Sequence, residues 1–322
     1  MNSVSVILPI LNEADYLVNC VEAILKQKFS GQLEVVLAIG PSVDNTMEIA
    51  QELARSDSRI KIIENPSGRT AVGLNLAINR STSPVIVRVD GHSNIPENYI
   101  ELAVELLNKT GAVNVGGLMA AEGQTTFERA VASAMRSPLG VGAAKFHTGG
   151  QSGEVDTVYL GVFKRDALLA VGGFNEHFTR AQDWELNYRL RKNGGKIYFD
   201  PRLTVTYRPR RSLIALARQY FEYGRWRRAV SRRYPETINF RYLAPPTAVV
   251  VSFISIVGSF FKPQLVLPFV IYLLSLLIGS LFIGKSWEER FRLPLVLFTM
   301  HMSWGIGFLT SPRKLARGNL ST

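Results

Sequence analysis

Three long apolar runs occupy the last quarter of this 322-residue chain. They cover residues 242–261, 263–284 and 293–312, and none of them contains an Asp, Glu, Lys or Arg side chain. Each run is close to the ~20 residues with which a helix crosses the hydrocarbon core of a bilayer. We therefore expect two or three membrane helices within residues 242–312, followed by a basic tail at 313–322.

Most of the formal net charge of +11 lies directly before these runs. Residues 202–233 contain ten Arg and one acidic residue, whereas residues 1–201 are slightly acidic. A helix over this segment places Leu213, Leu216, Tyr220 and Tyr223 on one side and Arg218, Arg225, Arg228 and Arg232 on the other. We predict that residues 211–241 form a basic amphipathic segment at a membrane interface, in contact with anionic lipid. Nucleic-acid binding is the alternative for an Arg-rich segment, and the adjoining apolar runs disfavour it.

The start of the chain does not resemble a secretory signal. The sequence MNSVSVILPILNEAD has too short an apolar run and no basic segment before it. The single cysteine, Cys20, suits a reducing compartment, where it packs as a small buried side chain. We therefore expect residues 1–210 to form a cytoplasmic domain at the cell membrane.

Short Val- and Ile-rich runs alternate with amphipathic stretches in residues 1–210. The runs predict strands at Val4–Pro9, Leu33–Ile39, Arg59–Ile63, Val85–Asp90, Val113–Gly116, 156–163 and Lys196–Asp200. Helices are predicted from near Asn12, Asp44, Thr70, Pro96 and Asp166 and over Gln182–Asn193, with Asn12 and Asp44 as N-caps. Residues 118–155 are predicted to form a long loop. The alternation indicates an α/β fold with a mainly parallel sheet, in which ligands bind at the carboxyl ends of the strands.

Carboxylates at the ends of strands and helices are the candidates for chemistry. Asp90 closes a strand and His92 follows it, a pair that suits Mg²⁺ or Mn²⁺ in contact with a diphosphate. A turn capped by Asp90 is the structural alternative. Asp183 and Glu185 open a helix, where each is either a general base or a favourable N-terminal charge. Glu13 follows the first strand and either faces a nucleotide or caps a helix.

Several other site types are excluded by their missing motifs. The sequence contains no P-loop, no Rossmann glycine pattern, no G-x-S-x-G elbow and no Cys/His zinc cluster. Nucleophilic and hydride-transfer chemistry are therefore left without candidate residues.

Seven motifs occur in an order that is typical of one protein family. They are VSVILPILNE, EVVLAIGPSVDNT, NPSGRTAVGLNLAI, VRVDGH, VGGFNE, AQDWELNYRLRKNGGKI and RQYFEYGRWR. Together they resemble the family 2 inverting glycosyltransferases, which have the GT-A nucleotide-sugar-binding fold. The resemblance covers roughly residues 3–230, and it is strongest to membrane-associated, succinoglycan-type glucosyltransferases of exopolysaccharide synthesis.

The resemblance implies a donor site on the first strands. Pro9, Leu11 and Glu13 match the nucleotide contacts of the first strand, and Arg69 lies in a loop that approaches the base or the phosphates. The family implies a UDP-sugar as the donor. Many relatives read uracil with an acidic pair after the second strand, but this sequence departs from that pattern: Ile39-Gly40 precede Pro41-Ser42, and Asp44 is the nearest carboxylate.

The resemblance also implies the metal, the base and the acceptor contacts. Asp90 corresponds to the first Asp of the metal and ribose motif and His92 to its last Asp, which implies Mg²⁺ or Mn²⁺ as the cofactor. Asp183 matches the catalytic base. Gln219, Arg225 and Trp226 resemble a Q-x-x-R-W box with a longer spacing, which implies contacts with the acceptor or with lipid phosphate.

The implied reaction is a single displacement at C1 of the nucleotide sugar. Asp183 deprotonates an acceptor hydroxyl, and the cation neutralises the leaving diphosphate. By analogy, the acceptor is a polyprenyl-diphosphate-linked glycan. A sugar nucleotidylyltransferase and a non-catalytic membrane scaffold with a degenerate nucleotide-sugar fold are the alternatives.

Overall fold

The computed structural model describes residues 2–317 and divides the chain into two compact units. The sheet unit comprises the chain up to Ala120 together with Gly149–Thr206. The helical unit comprises Ala121–Thr148 and the chain from Tyr207 onward.

The sheet unit is built on one eight-stranded sheet. Its strands are β1 (Ser3–Ile10), β2 (Gln32–Ile39), β3 (Ile60–Glu64), β4 (Val85–Arg88), β5 (Asn114–Ala121), β6 (Gly153–Glu154), β7 (Tyr159–Lys164) and β8 (Ile197–Tyr207). The strand order is β3-β2-β1-β4-β7-β5-β8-β6. Neighbours are parallel from β3 to β4, but β7 is antiparallel to both β4 and β5. The sheet is therefore mixed, and the prediction of a mainly parallel sheet is correct for its first four strands alone.

Helices on the sheet bury the apolar positions that the sequence pattern identifies. In the sheet unit they are α1 (Leu17–Leu25), α2 (Thr46–Ser56), α3 (Thr70–Arg80), α4 (Tyr99–Thr110), α8 (Arg165–Ala170) and α9 (Gln182–Lys192), and the intervening numbers belong to the helical unit. Strand residues such as Val6, Leu37 and Val87 are fully buried in one core with Leu17, Val21, Ile24 and Leu107. This core fixes the strand ends from which the candidate site is built.

The two predicted N-caps are wrong, and their side chains have another role. Helix α1 begins after Tyr16 and α2 after Asn45, and neither cap residue makes a side-chain hydrogen bond to its helix. Asn12 adopts a positive φ of 55° and accepts a hydrogen bond from the Val43 backbone N–H at 2.8 Å. The Asp44 carboxylate accepts hydrogen bonds from the backbone N–H groups of Ala14 and Thr46. These residues therefore connect the loop after β1 with the loop after β2. The local helix pattern does not indicate this contact.

The helical unit contains α5 (Thr126–Met135), α6 (Pro138–Val141), α7 (Lys145–Thr148), α10 (Leu213–Arg233), α11 (Phe240–Ser259), α12 (Leu267–Ile283) and α13 (Trp287–Leu309). The prediction of a loop over residues 118–155 is wrong, because three of these helices lie within it. Thr125 and Glu128 form a reciprocal capping box at the start of α5, and the helix buries small side chains such as Ala130 and Ala134. Its many Ala and Ser residues obscured this amphipathic pattern.

Two of the three apolar runs form helices that are long and apolar enough to cross a membrane. They are Phe240–Ser259 and Pro263–Ile283, and only a small share of their residues is buried within the structure. The third run lies in α13, where Leu293, Val296 and Leu297 are fully buried. A Cβ atom on Gly307 would lie 2.1 Å from the Phe221 carbonyl oxygen, so α13 and α10 are in direct backbone contact. The third run is therefore a packed helix of its unit.

The arginines of α10 are partly structural. Arg227 is 5% exposed, stacks over the Tyr242 ring at 3.6 Å and donates a hydrogen bond to the Thr237 carbonyl. Arg232 donates a hydrogen bond to the Ser311 carbonyl at 2.7 Å. On the predicted apolar side, Leu216 and Tyr220 are buried in the protein. The two-sided pattern of α10 therefore serves packing in the helical unit, as well as any contact with lipid.

Candidate active site

The strands β3, β2, β1 and β4 are adjacent and parallel, so the loops that follow them lie side by side at one edge of the sheet. We call this set of loops the carboxyl edge (residues 11–14, 40–45, 65–69 and 89–93). Cross-loop hydrogen bonds hold it together: the backbone N–H of Asn12 donates to Ser42 Oγ, and that of Glu13 donates to Thr46 Oγ1. Asp44, an exposed residue, has its pKa lowered by the hydrogen bond from the Thr46 hydroxyl.

Two glycines bring the first three loops close together. A Cβ atom on Gly40 would lie 3.0 Å from the Gly68 Cα and 3.1 Å from a methyl group of Leu11. Gly68 itself has a φ of +63°, which a residue with a side chain rarely adopts. Leu11 is 41% exposed beside these glycines, and Pro9 pairs with Ala38 in the parallel register of β1 and β2. The predicted nucleotide contact Leu11 thus lies against Gly40 and Gly68, and Pro9 lies beside Ala38 on the neighbouring strand.

Arg69 lies at the carboxyl edge and contacts a neighbouring loop. Its guanidinium donates a hydrogen bond to the Glu176 carbonyl oxygen. Asn75, on the helix that follows Arg69, also holds this loop through the backbone N–H and carbonyl of Phe174. Arg69 therefore links α3 to the segment that precedes α9.

Asp90, His92 and Glu13 form an acidic corner of the carboxyl edge. The Nδ1 atom of His92 lies 2.8 Å from Glu13 Oε1. Gly91 allows this contact, because a Cβ atom there would lie 3.0 Å from Glu13 Cγ. Beneath the corner, the Cys20 thiol donates to the Asp90 carbonyl oxygen, and burial raises the pKa of Cys20 to about 12.

Arg88, the last residue of β4, joins the two candidate carboxylates. Its Nη2 atom lies 3.0 Å from Asp90 Oδ1, and its Nη1 atom donates to Asp183 Oδ1. The Arg88 side chain is 5% exposed, and its guanidinium lies 5.9 Å from the centre of the Phe174 ring. The two carboxylates hold the pKa of Arg88 above its ordinary value despite its burial. Asp90 and Asp183 are thus fixed on one buried cation.

The structure distinguishes Asp183 from Glu185, which the sequence pattern alone leaves as alternatives. Asp183 is 37% exposed at the start of α9, where loss of water raises its pKa and Arg88 opposes that rise. Glu185 has no exposed surface and accepts hydrogen bonds from Arg189 at 2.7–3.0 Å. Arg189 also donates to the carbonyl oxygens of Val171 and Gly173. Glu185 is therefore a structural anchor, and Asp183 is the carboxylate that a substrate can reach.

A buried polar chain holds α9 from its other side. Asn114 on β5 donates to Asn187 Oδ1 at 2.7 Å, and Asn187 donates to Thr157 Oγ1 at 2.8 Å. All three residues are less than 9% exposed. Ala181, directly before α9, takes a left-handed φ of 59° as the chain turns into the helix. These contacts leave the first turn of α9, with Asp183, in a defined position.

The three predicted acceptor contacts all lie on α10 in the helical unit. Gln219 donates to the hydroxyl oxygens of Tyr207 and Tyr223, both at 2.8 Å. Arg225 forms an ion pair with Glu222 at 2.7 Å. Trp226 is 6% exposed, so its side chain is part of the packing of the unit. Among the three, Gln219 and Arg225 retain partial exposure.

The described residues contain no group of three His, Cys, Asp or Glu side chains suited to a metal ion. Asp90 and His92 therefore form a two-residue donor set at most, one hard oxygen ligand and one imidazole. Mg²⁺ is commonly held by one or two carboxylates while substrate phosphates and water complete its shell. Because Glu13 engages Nδ1, His92 would ligate through Nε2, as metal-binding histidines with a carboxylate partner do. The residues present fit a divalent cation that is bound together with a diphosphate.

The chain shares its fold with solved glycosyltransferases. Among solved structures, the chain is similar to mannosyltransferase PcManGT from Pyrobaculum calidifontis in complex with GDP-Man and Mn²⁺, with a TM-score of 0.66 at 18% identity over 95% of this chain and 87% of that one. It is also similar to S. aureus TarS 1-349 in complex with UDP-GlcNAc, with a TM-score of 0.53 at 15% identity over 96% and 91%. The chain thus has an α/β GT-A-like fold.

Residues 5–172 match the model of glycosyl transferase family 2, and the chain belongs to that family. It is 30% identical over 308 residues to the succinoglycan biosynthesis protein ExoA of Rhizobium meliloti (strain 1021), covering 94% of this chain and 93% of that protein. It is 24% identical over 334 residues, covering 99% of each, to the dolichyl N-acetyl-alpha-D-glucosaminyl phosphate 3-beta-D-2,3-diacetamido-2,3-dideoxy-beta-D-glucuronosyltransferase of Methanococcus voltae. The predicted family is confirmed, and with it a glycosyltransferase activity.

Arg88 is a residue of the candidate site that the sequence pattern does not identify. The pattern predicts a buried strand over Val85–Asp90 and assigns no role to the arginine within it. A charged residue in a strand of Val and Ile needs a partner when it is buried, so the pattern itself contained the signal. The second partner, Asp183, is 95 residues away in sequence, so only the fold identifies it.

Proposed function

We propose that this chain transfers a sugar from a nucleotide-sugar donor, with inversion, to a lipid-linked acceptor at the cytoplasmic face of the cell membrane. The product belongs to an exopolysaccharide or another cell-surface glycan. The observation that carries the proposal is that Asp90, on the donor side, and Asp183, the accessible carboxylate of α9, are held by the same buried guanidinium. A donor-binding group and a base must lie that close for one displacement at C1.

The donor occupies the carboxyl edge. Pro9, Leu11, Glu13 and the Asp44 loop line the nucleotide side, and Arg69 lies where its cation attracts the phosphates. Asp44 acts mainly through the loop that it orders, since its carboxylate is bonded to backbone N–H groups and to Thr46. A UDP-sugar is the first donor to test, and GDP-sugars follow because a structural neighbour was solved with GDP-Man.

A divalent cation, Mg²⁺ or Mn²⁺, completes the donor site. Asp90 and His92 would hold it, and when bound it supplies positive charge to the leaving diphosphate. Glu13 orients the His92 ring through the contact at Nδ1. The protein thus contributes a carboxylate and an oriented imidazole to the binding of the diphosphate.

Asp183 is the general base of the transfer. Its carboxylate takes the proton of the acceptor hydroxyl as that oxygen attacks C1 from the face opposite to the diphosphate, which inverts the anomeric centre. Partial burial raises the pKa of Asp183, which favours uptake of a proton, and the ion pair with Arg88 opposes that rise.

The helical unit holds the enzyme at its acceptor. Helices α11 and α12 insert into the membrane, and exposed side chains such as Phe253, Ile271 and Ile278 contact lipid. Residues 1–210 form the cytoplasmic catalytic part, with residues 211–241 at the interface. A polyprenyl-diphosphate-linked glycan fits as acceptor, and one relative is named for a dolichyl phosphate-linked substrate. Gln219 and Arg225 are the acceptor or lipid-phosphate contacts, whereas the buried Trp226 supports them from within the unit.

The proposal is tested with detergent-purified full-length protein. Binding and turnover of UDP-, GDP- and dTDP-sugars are measured with and without Mn²⁺, using polyprenyl-diphosphate glycans in mixed micelles as acceptors. We expect one donor class to bind and its sugar to appear on the lipid fraction. Release of pyrophosphate from a nucleoside triphosphate would instead indicate a nucleotidylyltransferase, and absence of binding to every donor would indicate a scaffold.

A further inference from the structure

We infer that Arg88 is a positioning residue of the transfer reaction: its planar guanidinium sets the distance and orientation between the donor-side carboxylate Asp90 and the base Asp183. The inference rests on the proposed function and adds a residue to which neither the family motif nor the sequence pattern gives a role. Arg88 acts through the two carboxylates and need not touch the reacting atoms.

The Arg88 guanidinium contacts the two carboxylates through different nitrogen atoms, and we call this arrangement the Arg88 clamp. The Nε and Nη2 atoms of Arg88 lie 3.3 and 3.0 Å from one oxygen of Asp90, while Nη1 donates to Asp183 on another side of the same plane. The guanidinium is rigid, so the two carboxylates cannot change their separation without breaking a charge-assisted hydrogen bond. Asp90 and Asp183 belong to different elements, the loop after β4 and helix α9, and Arg88 connects them directly.

Burial of the charged Arg88 side chain costs desolvation free energy, so stability alone is a weak reason for the clamp. The Arg88 side chain is 5% exposed, and the ring of Phe174 lies near its guanidinium. A buried arginine is generally no more stabilising than an apolar side chain of similar size, because its desolvation offsets the ion pairs. Nearby positions of the same strand are apolar and fully buried: Val85, Ile86 and Val87. Stability alone therefore does not account for an arginine at this position.

A lysine at position 88 separates geometry from charge. Lys keeps one positive charge but presents a compact ammonium, which cannot hold both carboxylates at the spacing of a planar fork. Misplacement of a base by about 1 Å costs on the order of a hundredfold in rate. If Arg88 acts by spacing, Arg88→Lys lowers kcat about a hundredfold and changes the donor Kd by less than about tenfold, because the remaining donor contacts are intact.

The test compares four full-length proteins: the parent, Arg88→Lys, Asp183→Asn and the double variant. Steady-state kcat, single-turnover transfer, donor Kd and thermal unfolding are measured for each. Arg59→Lys is the matched control, because Arg59 also holds a carboxylate, Asp57, through a planar fork but lies on an exposed loop outside the site. We expect Arg59→Lys to retain parent kcat. In the Asp183→Asn background, Arg88→Lys should produce clearly less than its full loss, since the base, one of the two carboxylates that it positions, is already absent.

Three results overturn the inference. Arg88→Lys with more than half of the parent kcat shows that charge alone suffices. A full additional loss in the Asp183→Asn background shows that Arg88 does not act through the base. Unfolding of both Arg88→Lys and a second variant, Arg88→Met, shows that the residue serves stability. A parent protein with no transfer activity contradicts the proposed function itself, whereas an active parent with an equally active Arg88→Lys contradicts only the role of Arg88.

Discussion

The substitution Glu185→Gln tests whether the buried Glu185–Arg189 ion pair stabilises α9, the helix that carries Asp183. Glu185 is fully buried and accepts hydrogen bonds from both Nε and Nη2 of Arg189. Gln has a similar shape, but its amide replaces one acceptor with a donor that faces the guanidinium. Arg189 then keeps its bonds to the carbonyls of Val171 and Gly173 and loses its counter-charge.

The expected cost follows from these contacts. Breaking one partner of a buried ion pair costs about 3–5 kcal/mol. Because Arg189 is 20% exposed and retains two carbonyl acceptors, the lower end, about 3 kcal/mol, applies here. For a domain of this size, 1 kcal/mol corresponds to roughly 2–4 °C in Tm, so the midpoint should fall by about 6–12 °C.

Circular dichroism during heating in detergent provides the measurement. Glu22→Gln is the matched control, because Glu22 also pairs with a cation four residues later, Lys26, but on the surface. Surface pairs of this kind contribute about 0.3–0.5 kcal/mol, so the control should stay within about 2 °C of the parent. A Glu185→Gln protein that melts as late as the control would refute the idea that this pair anchors α9.

Three further substitutions or treatments test other parts of the structure. Cys20, the single cysteine, should resist maleimide at pH 8 in the folded protein and react after denaturation, because burial raises its pKa to about 12; rapid native labelling would contradict its position beneath Asp90. Glu13→Gln should weaken the apparent Mn²⁺ affinity of donor-dependent transfer by about 10–100-fold, as loss of such a histidine partner does, and an unchanged metal titration would contradict the His92–Glu13 contact. Gly307→Ala should destabilise the helical unit by about 1–3 kcal/mol, measured by urea unfolding, because the new methyl group meets the Phe221 carbonyl; parent stability would contradict the close packing of α10 and α13.

The alternating pattern of residues 1–110 predicts its strands and most of its helices, because each buried face repeats at a clear period. The ends of the elements are less predictable. Asn12 and Asp44 have the chemistry of helix caps, but both are used to connect neighbouring loops, and that choice depends on residues about 30 positions away. The antiparallel placement of β7 likewise depends on the whole path of the chain.

The candidate site shows the same division between local and long-range information. The family motifs identify Asp90, His92 and Asp183 as the residues of interest, and the structure places Asp90 and Asp183 around one cation. The distinction between Asp183 and Glu185 required their burial, which spacing on one helix does not give. The apolar pattern of α13 resembles a membrane helix because a core helix packed on several sides has the same composition.

The central claim, that Asp183 is the base of a sugar transfer, is tested most directly by Asp183→Asn in the purified full-length protein. Donor Kd and single-turnover transfer are measured on the same preparation. We predict that the Kd stays within about threefold of the parent while transfer falls by at least about 10²-fold, because general-base catalysis contributes that much or more. Transfer at the parent rate would contradict the account.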